Sequence, residues 1–214
     1  WDIRDYTYAG WQLYYAEYTD GLLKGCDIRA EDGQLVIGKG MLKFHDFIYL
    51  MMEEERVDYQ PKNRWQMLKA EFSEDETNLD YKAYRVRFFL DEELELGENQ
   101  MEMCRFYLRE GSALRDSYKN FADMSTEYDT VNLICATVAG IGEKTLHPLV
   151  VKQFGEELWN MEEKDQFDFG FCSLVWNTQG RVERKVIAAY LSNKMKKAVV
   201  ANIMSYDNQM VYEK

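Results

Sequence analysis

Acyl-transfer chemistry needs a nucleophile with a base beside it, and two histidines, His45 and His147, are the usual candidates for that base in this chain. His147 stands directly before Pro148, a position that suits the start of a helix better than a base. His45 lies in an aromatic strand region beside Asp46, which could orient its ring. A strand-end or turn residue is the expected role there. No G-x-S-x-G elbow occurs.

The four cysteines, Cys26, Cys104, Cys135 and Cys172, are dispersed, with no C-x-x-C spacing and no histidine at zinc-ligand distance. Each sits among apolar neighbours, so the expectation is four free, buried thiols in a reducing compartment. Asp20 to Asp32 offers Asp27, Glu31 and Asp32 but not the alternating oxygen ligands of a calcium loop. Gly38-Lys39-Gly40 has no Ser or Thr after its lysine and reads as a turn, not a phosphate cradle. The nearest approach to a catalytic set is the carboxylate runs Glu53-Glu54-Glu55, Asp75-Glu76 and Asp91-Glu92-Glu93. Adjacent carboxylates ordinarily mark a solvated face. A hydrolase or metal-dependent enzyme would need such groups to converge from distant segments. No cofactor site is expected.

These residues must be held by a chain of 214 residues, enough for one large domain or two small ones with a real core. Hydrophobic residues at 46% and aromatics at 14% argue against disorder. The formal charge of −12 repels phosphate backbones and anionic membrane surfaces. No run approaches the roughly 20 apolar residues of a membrane span. Nucleic acid and membrane are therefore not expected as partners. The sequence starts at Trp1, which leaves open what precedes it; cytoplasmic location is the default expectation.

Residues 6–18, YTYAGWQLYYAEY, are rich in Tyr and Trp and read as a strand. Turn signals at Asp20-Gly21, Glu31-Asp32-Gly33 and Gly38-Lys39-Gly40 separate short apolar runs, and Met41 to Met52 reads as a further strand region. After the loop at Pro61, residues 65–72 fit either a helix or a strand. Residues 81–90 and 101–108 alternate as strands do. Beyond Gly111 the texture turns helical. A helix capped by Ser125 would place Tyr128, Val131, Ile134, Cys135 and Val138 on one stripe. A second starts at Pro148, residues 165–176 fit either state, and a last helix spans about 181–203. The fold class is thus α+β: a β-rich module over 1–110, built of hairpins or a small sandwich or barrel, then a mainly helical module over 111–214.

Two features suggest contact. Trp1, Tyr6, Tyr8, Trp11, Tyr14 and Tyr15 crowd the first strand, and a strand can bury only one face in a single core, so either a partner surface or a second sheet layer of the same domain must take the other rings. Arg181, Arg184, Lys185, Lys194, Lys196 and Lys197 form a basic island opposed only by Glu183. Either a solvated helix face or a docking surface for another subunit's acidic face accounts for that island.

The segment DGLLKGCDI…QLVIGKGMLKFHDFIYLM, Asp20 to Met52, resembles the small glycine-turned β-module of baseplate and tail-associated proteins in phages and contractile injection particles. That resemblance implies a structural role in a multi-protein particle and carries no catalytic residues. The expected function is a non-enzymatic structural or adaptor protein whose partners are other protein subunits, a second copy of itself included. The alternatives are an enzyme with a carboxylate-rich pocket, or a regulatory module with one apolar ligand pocket.

Overall fold

A computed structural model describes residues 3–74, 84–124 and 128–199. The fold is α+β. The chain divides into two compact units, each assembled from separated segments: residues 1–60, 66–103 and 137–144 in the first, and 61–65, 104–136 and 145–214 in the second.

The first unit opens with a helix, α1 (Ile3–Tyr14), where the aromatic density suggests a strand. The reason is spacing. Tyr8, Trp11, Tyr15 and Tyr18 recur every three to four residues and pack together on Leu23, Ile48 and Ala139. The Tyr8 hydroxyl accepts from the Ile48 N–H at 3.2 Å, and Gln12 Nε2 donates to the Asp46 carbonyl at 2.8 Å.

Short antiparallel strands follow. β1 (Gly21–Gly25), β4 (Gly40–Phe44) and β5 (Phe47–Met51) form one sheet in the order β1-β4-β5, and β2 (Ile28–Glu31), β3 (Gln34–Ile37) and β6 (Glu55–Asp58) form another in the order β2-β3-β6. The continuous strand read over 41–52 is a hairpin instead: Phe44 pairs with Phe47 across the two-residue turn His45-Asp46, with His45 in the left-handed region at φ 52°. Asp32 and Gly33 both have positive φ and close the β2–β3 hairpin in the manner of the primed turns. Gly25 and Gly40 pair across β1 and β4, where no side chain fits. A Cβ on Gly40 would lie 2.4 Å from Cys26 N and Sγ, and one on Gly25 would lie 2.2 Å from the Lys39 carbonyl oxygen.

The third sheet has the order β8-β7-β9, from β7 (Trp65–Glu74), β8 (Tyr84–Asp91) and β9 (Gln100–Tyr107). Residues 66–70 of β7 are all buried, which hides the period-two alternation that would mark a half-exposed strand. Lys69 lies among them, only 2% exposed, and its Nζ donates to Asp91 Oδ2 at 2.8 Å and to the Glu95 carbonyl at 2.6 Å.

The second unit holds the short α2 (Phe121–Met124), α3 (Pro148–Asn160), α4 (Gln166–Asn177) and α5 (Arg184–Met195). Its core gathers Val151, Leu158, Phe171, Cys172, Val175, Val182, Ile187 and Tyr190. Gly155 lets α3 and α4 approach closely, since a Cβ there would meet Val175 Cγ1 at 2.9 Å.

The helix expected over 125–142 is absent from the described residues of that stretch. Residues 128–136 are irregular instead, with isolated bridges and a turn at 134–135: Arg105 and Asn132 exchange backbone bonds of 2.8 and 3.0 Å, and Arg115 bridges to Thr130. The sequence DTVNLICATV is poor in strong helix formers and rich in β-branched and backbone-competing residues. Asp129 also stands at φ 61° and takes the Arg109 backbone and guanidinium N–H groups. The expected cap Ser125 lies outside the described residues. Residues 166–177 are helical, and the last helix stops at Met195 because Lys196 adopts the left-handed cap conformation at φ 52°.

Candidate interaction faces

The titratable groups singled out in the sequence are engaged in local structure. His147 is the N-cap of α3, with its Nδ1 accepting from the Leu149 N–H at 3.3 Å. Burial first, then the charge of Arg181, pushes its pKa down to about 4, so it is neutral at pH 7. His45 points to Asp20, not to Asp46: its N–H donates to Asp20 Oδ1 at 2.7 Å and its Nδ1 lies 3.3 Å from Oδ2. The four cysteines are free thiols; Cys26, Cys104 and Cys172 are buried and Cys135 is half-buried. Burial pushes the Cys172 thiol up, away from the reactive thiolate. Glu54 pairs with Arg29 at 2.9 Å, and Asp91 with Lys69. Among the described residues, no group of three or more His, Cys, Asp or Glu side chains could hold a metal ion. Asp75 and Glu76 lie outside them.

Sequence reading missed a buried polar network. Asp168, 1% exposed on the first turn of α4, accepts from the Tyr190 hydroxyl at 2.6 Å, from Lys194 Nζ at 2.8 Å and from the Asp165 N–H at 2.9 Å. Burial pushes the Asp168 carboxyl up, but the bonds from Lys194, Tyr190 and Asp165 outweigh that and hold it at about 2. Asp165 is the N-cap of α4 and completes a reciprocal capping box with Asp168. The arrangement ties the start of α4 to α5 and offers no free nucleophile. Its only mark in the sequence is the D-x-x-D spacing at 165–168.

The contact residues divide by face. Trp1 lies outside the described residues. Tyr8 and Trp11 on the inner face of α1, and Tyr15 in the turn that follows it, are half-buried, whereas Tyr6 and Tyr14 are exposed. With them stand Ile3 and Leu13, so α1 carries four large apolar side chains exposed at 82% (Ile3), 66% (Tyr6), 80% (Leu13) and 71% (Tyr14). A second gathering occupies α3 and α4. The Trp159 ring lies 4.7 Å from Trp176 and 5.7 Å from Phe169, both edge-to-face, with Met161 and Phe167 also exposed. Lys164 caps the end of α3 through the Trp159 and Met161 carbonyls and sits over the Trp159 ring.

The basic set does not act as one patch. Lys194 is turned onto Asp165 and Asp168, which raises its pKa, and Arg181 and Arg184 are half-buried. Lys185, Lys196 and Lys197 are exposed.

Fold and surface together define an α+β protein of two compact units, each with apolar side chains gathered on exposed helices. No protein family, no curated protein and no solved structure matches the chain. Among the described residues, no helix is long and apolar enough to cross a membrane.

Proposed function

We propose that this chain is a non-enzymatic structural or adaptor protein that assembles with other protein subunits. One observation carries the reading: large apolar side chains at the surface are gathered onto helix faces, with aromatic rings at their centres. Scattered exposed apolar residues are ordinary, but contiguous patches mark interaction sites, and Tyr and Trp are preferred anchors in them. The engagement of His147, His45 and the buried thiols in local structure supports contact over catalysis. Lys185, Lys196 and Lys197 supply positive charge on a chain of net −12 and steer an acidic partner face into register. A multi-protein particle of the phage baseplate kind, assembled in a reducing cytoplasm, is the setting this reading favours.

Native mass spectrometry of the full chain, alone and co-expressed with the products of adjacent genes, tests it. A complex in either sample is the expected result. A chain that stays monomeric with every neighbour product and by itself, up to roughly 200 µM, overturns the proposal, since interfaces at the small end of the range still form at such concentrations.

A further inference from the structure

Resting on that reading, we infer that the aromatic face shared by α3 and α4 docks a short basic amphipathic segment of another protein, one that sets Lys or Arg around an apolar anchor. The rings of Trp159, Phe169 and Trp176 form one continuous surface: Trp159 lies edge-to-face with both others, 5.7 Å from Phe169 and 4.7 Å from Trp176. Each ring is more than two-fifths exposed, as is Met161 at the end of α3. The inner sides of the same helices already meet in a core of their own, through Val151, Leu158, Phe171, Cys172 and Val175. The outer rings are therefore surplus to it, and Trp and Met are favoured residues of contact surfaces.

Carboxylates surround this face. Glu156 stands one turn before Trp159 on α3, and Glu162 and Glu163 follow Met161 in the link to α4. All three are exposed, and none has a hydrogen bond or ion pair to a described side chain. Their neighbours are engaged: Glu157 takes the Phe121 N–H and the Gln153 side chain, and Asp165 and Asp168 take Lys194. Lys164 directs its bonds to the Trp159 and Met161 carbonyls, and its Nζ lies 5.8 Å from the centre of the Trp159 ring. That placement shows the indole face accepting a positive charge.

Charge selects the occupant. From Pro148 to Asn177 the sequence holds six acidic residues and two basic ones, net −4. Two copies meeting through this face would set those charges against each other, and residues 200–214 of the same chain carry two acidic residues and one basic one. Anionic lipid and nucleic acid are repelled in the same way. A segment that is positive around an apolar anchor fits: the anchor covers the rings, and its Lys or Arg meet Glu156, Glu162 and Glu163. Area sets the strength. The three rings and Met161 present roughly 400 Å² of apolar surface, and the carboxylates bring the face to roughly 600 Å², the per-partner size of the smallest specific interfaces. That is too little for a permanent subunit face and suits a short segment bound at roughly 10 to 100 µM.

Fluorescence anisotropy with the full chain tests the docking. The probe is a labelled helical peptide of roughly 14 residues with Leu on one face and Lys on the other, beside a Leu/Glu peptide of the same pattern. At about 0.15 M salt the Leu/Lys peptide should bind at roughly 10 to 100 µM, and the Leu/Glu peptide at least ~10-fold more weakly. Glu156→Gln, Glu162→Gln and Glu163→Gln together should weaken binding ~10-fold, and Trp159→Ser should do the same with the circular dichroism of wild type. Glu53→Gln, Glu93→Gln and Glu98→Gln remove as many exposed charges from the other unit and should leave binding within ~2-fold. Equal weakening by the two triple variants means attraction to net charge alone and overturns the site, as does a Trp159→Ser chain that binds like wild type. Displacement of the probe by a peptide of residues 200–214, or self-association that Trp159→Ser abolishes, identifies a different occupant and overturns the basic partner. A chain that ignores both peptides yet joins a neighbour's product in native mass spectrometry overturns this docking face and leaves the assembly reading standing.

Discussion

Replacing Asp168 with asparagine is expected to destabilise the protein by roughly 2 kcal/mol at pH 7, with the difference fading in acid. Asparagine is close in shape to a protonated aspartic acid. It keeps an oxygen for the Tyr190 hydroxyl or the Asp165 N–H and loses the charge that Lys194 meets at 2.8 Å. The cost is therefore near the free energy that holds the carboxyl at about 2 instead of its ordinary 3.8. At about 1.4 kcal/mol per decade, that interval is worth roughly 2 kcal/mol. The folded-state pKa is the lower one, so the stabilisation is fully present above 3.8 and is lost as pH falls through about 2. Roughly half should remain at pH 3. Urea unfolding followed by far-ultraviolet circular dichroism, repeated at half-unit steps from pH 7 to pH 2.5, gives the difference between the two chains directly. A difference below about 0.5 kcal/mol at pH 7, or one that stays constant from pH 5 downward, refutes the claim that this charge pins α4 to α5.

His147 acts over a higher pH window. Its folded pKa of about 4 lies below the ordinary 6.5, so the unfolded chain takes the proton first. Wild type should then lose roughly 3 kcal/mol between pH 7.5 and pH 4. His147→Asn keeps a capping acceptor for the Leu149 N–H and should flatten that slope; parallel urea curves across the window would contradict it. Glycine substitutions should split by environment. Gly40→Ala drives a Cβ to 2.4 Å from the Cys26 backbone and should cost about 3 kcal/mol by thermal melting. Gly170→Ala, in mid-α4 with open space around it, should raise stability by ~0.5–1 kcal/mol, and an equal loss at both sites would refute the packing argument.

Turn chemistry was the most legible part of the chain. Asp32-Gly33 closes the β2–β3 hairpin because few residues tolerate its backbone angles, and that limit is local, whereas Gly38-Lys39-Gly40 carries the chain from β3 in one sheet to β4 in another. The β4–β5 hairpin was not legible, because His45-Asp46 carries no glycine and its positive φ falls on His45. Strand β7 stayed ambiguous for a different reason. Burial of both faces removes the alternation, and even its lysine is interior, matched by Asp91 from 22 residues away. At 128–136 an apolar stripe of helical period coexists with a non-helical backbone, because the bridging of Asn132 with Arg105 and of Thr130 with Arg115 is long-range and prevails over local period. The Asp168 network was hidden likewise: its partners Tyr190 and Lys194 lie more than twenty residues along the chain.

The misreading of α1 has one physical cause. A helix that serves a single core shows one apolar stripe and one polar face, and the period stands out. α1 carries apolar side chains on both faces. Tyr8 and Trp11, continued by Tyr15 and Tyr18 beyond its end, form the inner stripe, while Ile3, Tyr6, Leu13 and Tyr14 are exposed on the other side. Superposed, the two stripes leave few polar positions to mark a solvent face, and the remaining density of tyrosine and tryptophan imitates a β-strand. The expected strand is a helix, so the argument that a strand buries only one face does not apply to these rings.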